Sequence, residues 1–257
     1  MSEKSRAIYK FLMKIIKEIA LHLNLQDKLA WENVTHNFDM EVFQAFQDSI
    51  PLIHHCGCHY QFCQRIFRKV SILGLEKHYM NSDFPHFGMF VRCVLALAFL
   101  PVERIESTFK SLVDYLEAKY ERAQIDYPDE LVDFVAYLQK TWISDDSKFR
   151  KELWNSRNVY RDKTIGVSLP LFLRQYGDGT HLWNFIRRLQ KIEKQTRVIM
   201  EDLKAGRDFS KNVRFHRVSE DDLGRMIARY NNGAYPDNLI YVQEIAYLQH
   251  DFLMHKE

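Results

Sequence analysis

The sequence has little glycine, proline or cysteine, and it lacks a long uninterrupted apolar run. Nine glycines and six prolines in 257 residues leave little room for disordered linkers or a collagen-like repeat. Four cysteines are too few for a disulfide-rich secreted scaffold. The most apolar stretch, residues 91–102, is interrupted by Arg92 and contains Pro101, so it does not predict a membrane-spanning helix.

The sequence also lacks an excess of charge of one sign. Its 36 Lys and Arg residues nearly balance 34 Asp and Glu residues, which excludes a polybasic nucleic-acid-binding tail. The first apolar segment, 8–23, carries Lys10, Lys14, Lys17 and Glu18, which the apolar part of a signal peptide would not tolerate. We therefore expect a protein of the nucleus or cytoplasm that is not secreted and does not enter a membrane.

Helical periodicity dominates what is present. Apolar residues recur every three or four positions, which predicts helices over 4–23, 40–48, 64–75, 87–99, 102–120, 128–141, 148–154 and 238–254. Ser219 and Asp222 resemble a capping box that opens a helix over 223–230, and a long stripe over 182–203 predicts a helix ending at Gly206. Residues 31–38 and 52–58 have the alternation and residue types of short strands. The predicted class is α+β, predominantly α-helical.

Residues 54–63 contain six side chains of the types that bind zinc. They are His54, His55, Cys56, Cys58, His59 and Cys63. Cys56, Cys58 and His59 are the metal ligands that this spacing favours, but a tetrahedral zinc site needs four ligands, which one short loop seldom supplies. The alternative is that Cys58 and Cys63 are buried as small apolar residues while the histidines lie on an exposed turn.

Asp39 stands at or just past the end of the first predicted strand. A carboxylate at that position in an α/β layer is a candidate catalytic metal ligand. The simpler interpretation is that Asp39 caps the helix that follows, and the sequence favours it. Glu41 lies two residues further on, where the start of a helix would turn it away from Asp39.

Two predicted helices carry basic side chains on one face. Arg65, Arg68 and Lys69 form the first set, and Arg187 and Arg188 belong to the second. Either set could neutralise phosphate groups of a nucleic acid, although the sequence favours the simpler interpretation of a solvated helix face.

A series of short motifs follows in order along the chain. The motifs are Phe38-Asp39-Met40-Glu41, Ile50-Pro51, Gly57-Cys58, Phe62-Cys63-Gln64, Arg68-Lys69-Val70, Leu73-Gly74-Leu75 and Leu95-Ala96-Leu97-Ala98-Phe99-Leu100-Pro101. Together they resemble the central part of the MULE (Mutator-like element) transposases. Weaker similarity returns at Trp154-Asn155 and at 182–186.

The resemblance implies a ribonuclease H-like core in which two aspartates and a glutamate hold Mg²⁺ or Mn²⁺. Asp39 matches the second aspartate, and the first would lie on a strand before the helix at 4–23. The family glutamate would fall between Trp154 and Leu182, and residues 161–180 contain no glutamate. The family's Cys-x2-His motif would place histidine where Gln61 stands, whereas Cys56-x2-His59 restores the spacing.

The resemblance also implies a division of the chain. We expect a partial ribonuclease H-like core of about two strands over 1–83, a helical insertion over 84–160, an irregular connection over 161–181 and helices over 182–257. The expected function is that of a transposon-derived fragment that lacks DNA strand-transfer activity and binds DNA. Alternatives are a nuclear DNA-binding or protein-interaction module, or a truncated form of an active DNA transposase. Expected partners are DNA, a full-length transposase or a second copy of the chain.

Overall fold

The computed structural model describes residues 5–24, 33–158 and 217–254, together with the single positions 187, 190, 193, 194 and 197. Helices predominate among these residues, and their strands form one parallel two-stranded sheet. This confirms the prediction of a mostly helical α+β protein. The connection at 161–181, most of the stripe at 182–203 and Arg188 lie outside the described residues.

The chain divides into two compact units, Met1–Lys163 with Met226–Glu257, and Thr164–Arg225. The described elements are α1 Arg6–His22, β1 Asn33–His36, α2 Met40–Ser49, β2 His54–Gly57, α3 His59–Ile72, α4 Glu76–Tyr79, α5 His86–Ala96, a 3₁₀ turn Leu97–Phe99, α6 Val102–Ala123, α7 Asp129–Leu138, a π turn Gln139–Ile143, α8 Lys151–Trp154, α9 Arg217–Asn231 and α10 Asn238–Met254. No helix in the described ranges is both long enough and apolar enough to cross a bilayer.

Helix α1 packs against α2, and Met13 and Ala20 are its buried residues. The backbone N–H of Arg6 donates to Oε2 of Glu41 at 2.7 Å, and the Arg6 guanidinium donates to both carboxylate oxygens of Asp48. Since these acids lie on α2, the polar contacts fix the start of α1 while the apolar residues fix its middle.

The sheet is short because each strand contains only four residues. His36 pairs with Gly57 at its carboxyl end. Gly57 has no space for a side chain, since a Cβ atom there would lie 2.5 Å or less from the Phe38 ring and 2.9 Å from the Leu153 carbonyl oxygen. This close approach packs the carboxyl end of the sheet against α8.

Aromatic side chains join the sheet to the helices that follow. Phe62 of α3 stacks on Trp154 of α8 with ring centroids 4.8 Å apart, and it meets Trp142 edge-on at 5.0 Å. Nε1 of Trp154 donates to the backbone oxygen of Trp142 at 3.0 Å. Because Phe38 also contacts Trp142 at 5.1 Å, residues from both predicted regions 1–83 and 84–160 share one core.

The helical part is centred on α5 and the 3₁₀ turn, which are almost wholly buried. The carbonyl oxygen of Phe99 accepts from Tyr241 of α10 at 3.2 Å and from Arg157 at 2.6 Å. The Arg157 guanidinium also lies 4.9 Å from the centroid of the Tyr230 ring. These contacts attach α10 and the end of α9 to the core formed by α5 and α6.

Several element boundaries differ from those predicted. Helix α3 begins at His59 rather than 64, and the short α4 was not predicted. Helix α8 begins at Lys151 rather than 148, because the amides of Lys148 and Phe149 donate back to carbonyls of the preceding π turn. The predicted capping box is wrong, since Ser219 lies inside α9.

Candidate nucleic-acid interface

Asp39 is the N-cap of α2. Its Oδ1 accepts from the amides of Glu41 at 3.1 Å and Val42 at 3.5 Å, which satisfies donors that the first turn of a helix leaves without partners. The sequence-based interpretation of Asp39 as a cap is confirmed. Glu41 bonds to the Arg6 amide and thus faces α1.

Two histidines of the sheet, His36 and His55, contact each other, and His36 lies near Asp39. His36 is 5% exposed, and its ring centroid is 5.7 Å from that of His55. Parallel pairing explains the contact, because Val34 pairs with His55 and side chains two residues apart on a strand point to one face. Phe43 of α2 covers both rings, at 5.5 Å from His36 and 4.3 Å from His55.

The environment of His36 favours its neutral form. Burial lowers the pKa of His36 to about 4, and the neighbouring His55 acts in the same direction while Asp39 opposes both. Neither ring nitrogen of His36 has a hydrogen-bond partner in the part of the chain that the structure describes. The His36 ring therefore lies in a buried environment, between the rings of Phe43 and His55.

The cysteines and histidines of 54–63 form two separate pairs. Sγ of Cys56 lies 3.3 Å from Nδ1 of His54, and Sγ of Cys63 lies 3.5 Å from Nε2 of His59. Cys58 is buried at the start of α3. Burial raises the pKa of the Cys56 thiol and lowers the pKa of His59 to about 4. A cysteine binds zinc as a thiolate, and burial of Cys56 disfavours that form.

The described residues contain no group of three or more His, Cys, Asp and Glu side chains placed to share a metal ion. Asp39 already accepts two amide hydrogens through one of its oxygens. Binding of Mg²⁺ or Mn²⁺, which the resemblance implies, stays a prediction. Zinc ligation by Cys56, Cys58 and His59 stays a prediction.

Arg65 points toward the end of β1. Its guanidinium donates to the carbonyl oxygens of Asn37 at 3.1 Å and Phe38 at 3.2 Å. It also lies 5.7 Å from the centroid of the Phe149 ring. Arg65 thus supplies hydrogen bonds to the carbonyl groups of the turn that follows β1, where Phe38 has a left-handed φ of 57°. Its charge stays close to the surface, since the residue is only partly buried.

Two further cations lie over aromatic rings, and one of these is the Phe149 ring that Arg65 also approaches. Nζ of Lys69 is 5.3 Å from the centroid of the Tyr137 ring, and Nζ of Lys148 is 5.5 Å from that of Phe149. Arg68 is exposed one turn beyond Arg65 on α3. We call Arg65, Arg68, Lys69 and Lys148 the basic patch. It unites cations from α3 with one from the segment before α8.

Sequence reasoning found three members of the basic patch and missed Lys148. The predicted helix over 148–154 gives that residue no relation to α3, and it is the fold of the π turn that places Phe149, with Lys148 beside it, next to Arg65. Arg187 is exposed, and Arg188 lies outside the described positions. Their role in DNA binding stays a prediction.

Comparisons with models of protein families, with curated proteins and with solved structures found no match.

Proposed function

We propose that the chain is a protein derived from a MULE-type transposase that binds duplex DNA through the basic patch and does not itself transfer DNA strands. The ordered motifs of the sequence support the origin. The observation that carries the binding proposal is the gathering of cations from α3 and from the segment before α8 around Tyr137 and Phe149.

The basic patch has the chemistry needed for a DNA backbone. Lysine and arginine bind phosphate oxygens and release condensed counterions, which makes binding independent of sequence and sensitive to salt. Asp145, three positions before Lys148, is paired with Lys151 at 2.6 Å, while Asp146, two positions before Lys148, is exposed and is the acidic side chain nearest to Lys148 in the sequence. Since the net charge of the chain is only +2, binding must depend on this local cluster.

The test is binding of a labelled duplex, measured by fluorescence anisotropy between about 50 and about 200 mM NaCl. We expect the double variant Arg68→Ala/Lys148→Ala to bind more weakly and to reduce the slope of log affinity against log salt by about 2, since two phosphate contacts are lost. Both residues are exposed, so neither change removes a packed side chain.

Lys110→Ala/Arg122→Ala is the matched control. It removes one lysine and one arginine from exposed positions of α6, so the change in net charge is the same. The control should bind as the unaltered chain does. Equal binding by the patch variant and the unaltered chain would refute the proposed surface. Absence of binding at low salt would refute DNA binding itself. The remaining alternative would be a module that binds other proteins.

The non-catalytic part of the proposal has its own test. Supercoiled DNA incubated with the chain and Mg²⁺ or Mn²⁺ should stay intact, because Asp39 serves as a helix cap and the described residues group no further carboxylates with it. Nicking that is lost in Asp39→Ala would overturn this part and place the chain among the active transposases.

A further inference from the structure

Helix α1 exposes a broad apolar face. On a helix of 3.6 residues per turn, six apolar residues and the exposed His22 share one sector of α1 and its C-cap that is about 120° wide. Five of them are large side chains that are between 46% and 64% exposed, namely Ile8, Phe11, Leu12, Ile19 and Leu23, and Ile15 lies among them. We call these six residues the α1 stripe. Patches of this kind on a soluble protein mark interaction sites.

The α1 stripe is distinct from the face that α1 uses inside the chain. Met13 and Ala20 are buried and lie on another side of the helix. The lysines occupy a third side, where Lys10 pairs with Asp48 at 3.2 Å and Lys17 donates to the Ser49 carbonyl oxygen at 2.6 Å. Each face of α1 thus has its own chemistry, and docking on α2 leaves the α1 stripe exposed.

The spacing of the apolar residues identifies the partner. With Ile16, which borders the α1 stripe, the aliphatic positions are 8, 12, 15, 16, 19 and 23. The intervals between these positions are the same whether the helix is followed from its amino end or from its carboxyl end. When two such helices pack antiparallel across a two-fold axis, Ile8 meets Leu23, Leu12 meets Ile19 and Ile15 meets Ile16. We propose that the α1 stripe is the interface of an antiparallel homodimer, whose two-fold symmetry requires a self-complementary surface.

Charge and area agree with a second copy as the occupant. The lysines of α1 point away from the α1 stripe, so two copies meet without bringing like charges together, and antiparallel helices align their dipoles favourably. Only about half of each of the five large side chains is exposed, so the area that each copy can bury is smaller than the ~800 Å² per partner of a standard interface. Such an area is near the lower limit for a specific interface, so we expect a dissociation constant in the micromolar range.

The first test is the oligomeric state of the whole chain, measured by sedimentation velocity from about 1 to about 100 μM, a range chosen to span the affinity expected of a small interface. We expect a monomer–dimer equilibrium that Ile19→Glu shifts at least tenfold toward monomer, since it buries a charge at each end of the interface. Ile72→Glu is the matched control, because Ile72 is 66% exposed on α3 and lies outside the α1 stripe. It should dimerise as the unaltered chain does.

The second test determines the orientation of the helices. Leu12→Lys alone should also weaken the dimer. In the antiparallel arrangement, a mixture of Leu12→Lys and Ile19→Glu chains pairs the new lysine with the new glutamate and leaves the second Leu12–Ile19 contact intact. The mixture should therefore form a heterodimer where each variant alone is monomeric, which also shows that both variants are folded.

Three results would overturn the inference. The unaltered chain could remain monomeric at the highest concentration, Ile19→Glu could dimerise like Ile72→Glu, or the mixed variants could fail to associate. None depends on DNA, so the dimer and the proposed DNA binding succeed or fail separately.

Discussion

The strand region and the helical region bury different kinds of side chain. Between Phe87 and Leu100 the residues facing the core are apolar, and most are fully buried. In contrast, β1 and β2 bury mainly their carboxyl ends, and the buried residue of β1 is His36. The helical region therefore contributes the larger share of the hydrophobic free energy, and a two-stranded sheet of this length depends on packing against it.

This difference indicates which substitutions should most affect the free energy of unfolding and which should act only under particular conditions. The sheet is held at one end, where Gly57 and Phe38 pack against the α8 backbone and Trp142. It also contains a histidine pair whose neutral state depends on burial. We expect changes at the junction with α8 to have the largest effects, and changes within the strand region to have smaller, condition-dependent effects.

Trp154→Ala should have the largest effect. The side chain is fully buried, stacks on Phe62 and donates to the Trp142 carbonyl oxygen. Its removal should lower the free energy of unfolding by about 3–5 kcal/mol, measured by urea denaturation followed by circular dichroism. Trp154→Phe keeps an aromatic ring and should cost less. A loss below about 1 kcal/mol would show that the two regions are not joined through this residue.

Sequence patterns predicted most elements of both regions. The bounds of α10 are those predicted, since an apolar run after Pro236 and Asp237 defines its start. The predicted start of α3 at 64 is five residues too late, since the helix begins at His59. Tyr60, Cys63 and Ile66 in fact continue the apolar spacing of the helix backward to His59. A cysteine at helical spacing is more often packed than ligated.

The candidate site was less predictable than the fold. Asp39 was correctly interpreted as a cap, because capping is a local property of neighbouring residues. The contacts of Arg65 with the Asn37 and Phe38 carbonyl oxygens were not predictable, since they join positions 28 and 27 residues apart. The same holds for Lys148, whose place beside the basic patch depends on the turn between α7 and α8.

Acid should weaken the strand region through His36. Its pKa is about 4 in the folded chain and 6.5 ordinarily, so between these values the unfolded chain binds a proton that the folded chain does not. The contribution of neutral His36 to the free energy of unfolding is therefore fully present above about pH 6.5. It falls as the pH is lowered toward 4 and changes little below that. The full loss due to His36 is about 3 kcal/mol.

The measurement is the free energy of unfolding of the unaltered chain and of His36→Leu from pH 7 to pH 4. Between pH 7 and pH 4 the free energy of unfolding of His36→Leu should fall by up to about 3 kcal/mol less than that of the unaltered chain. This difference does not depend on the stability of the variant at pH 7. His78→Gln, which changes a histidine of α4 outside the sheet, is the control and should retain the dependence. Parallel curves for His36→Leu and the unaltered chain would show that His36 does not titrate as its burial demands.

Asp39→Ala should have the smallest effect, because the cap contributes only local hydrogen bonds. Loss of an aspartate N-cap lowers the free energy of unfolding by about 1 kcal/mol. In Asp39→Asn the side-chain amide still offers an oxygen to the backbone N–H groups of Glu41 and Val42, so this variant should retain most of the stability. The pair of variants separates capping from metal binding, since an amide replaces a carboxylate well as a cap and poorly as an Mg²⁺ ligand. If Mg²⁺ raised the melting temperature of the unaltered chain and not that of Asp39→Asn, Asp39 would be a metal ligand. The carboxyl end of β1 would then be a metal site as well as the position of a helix cap.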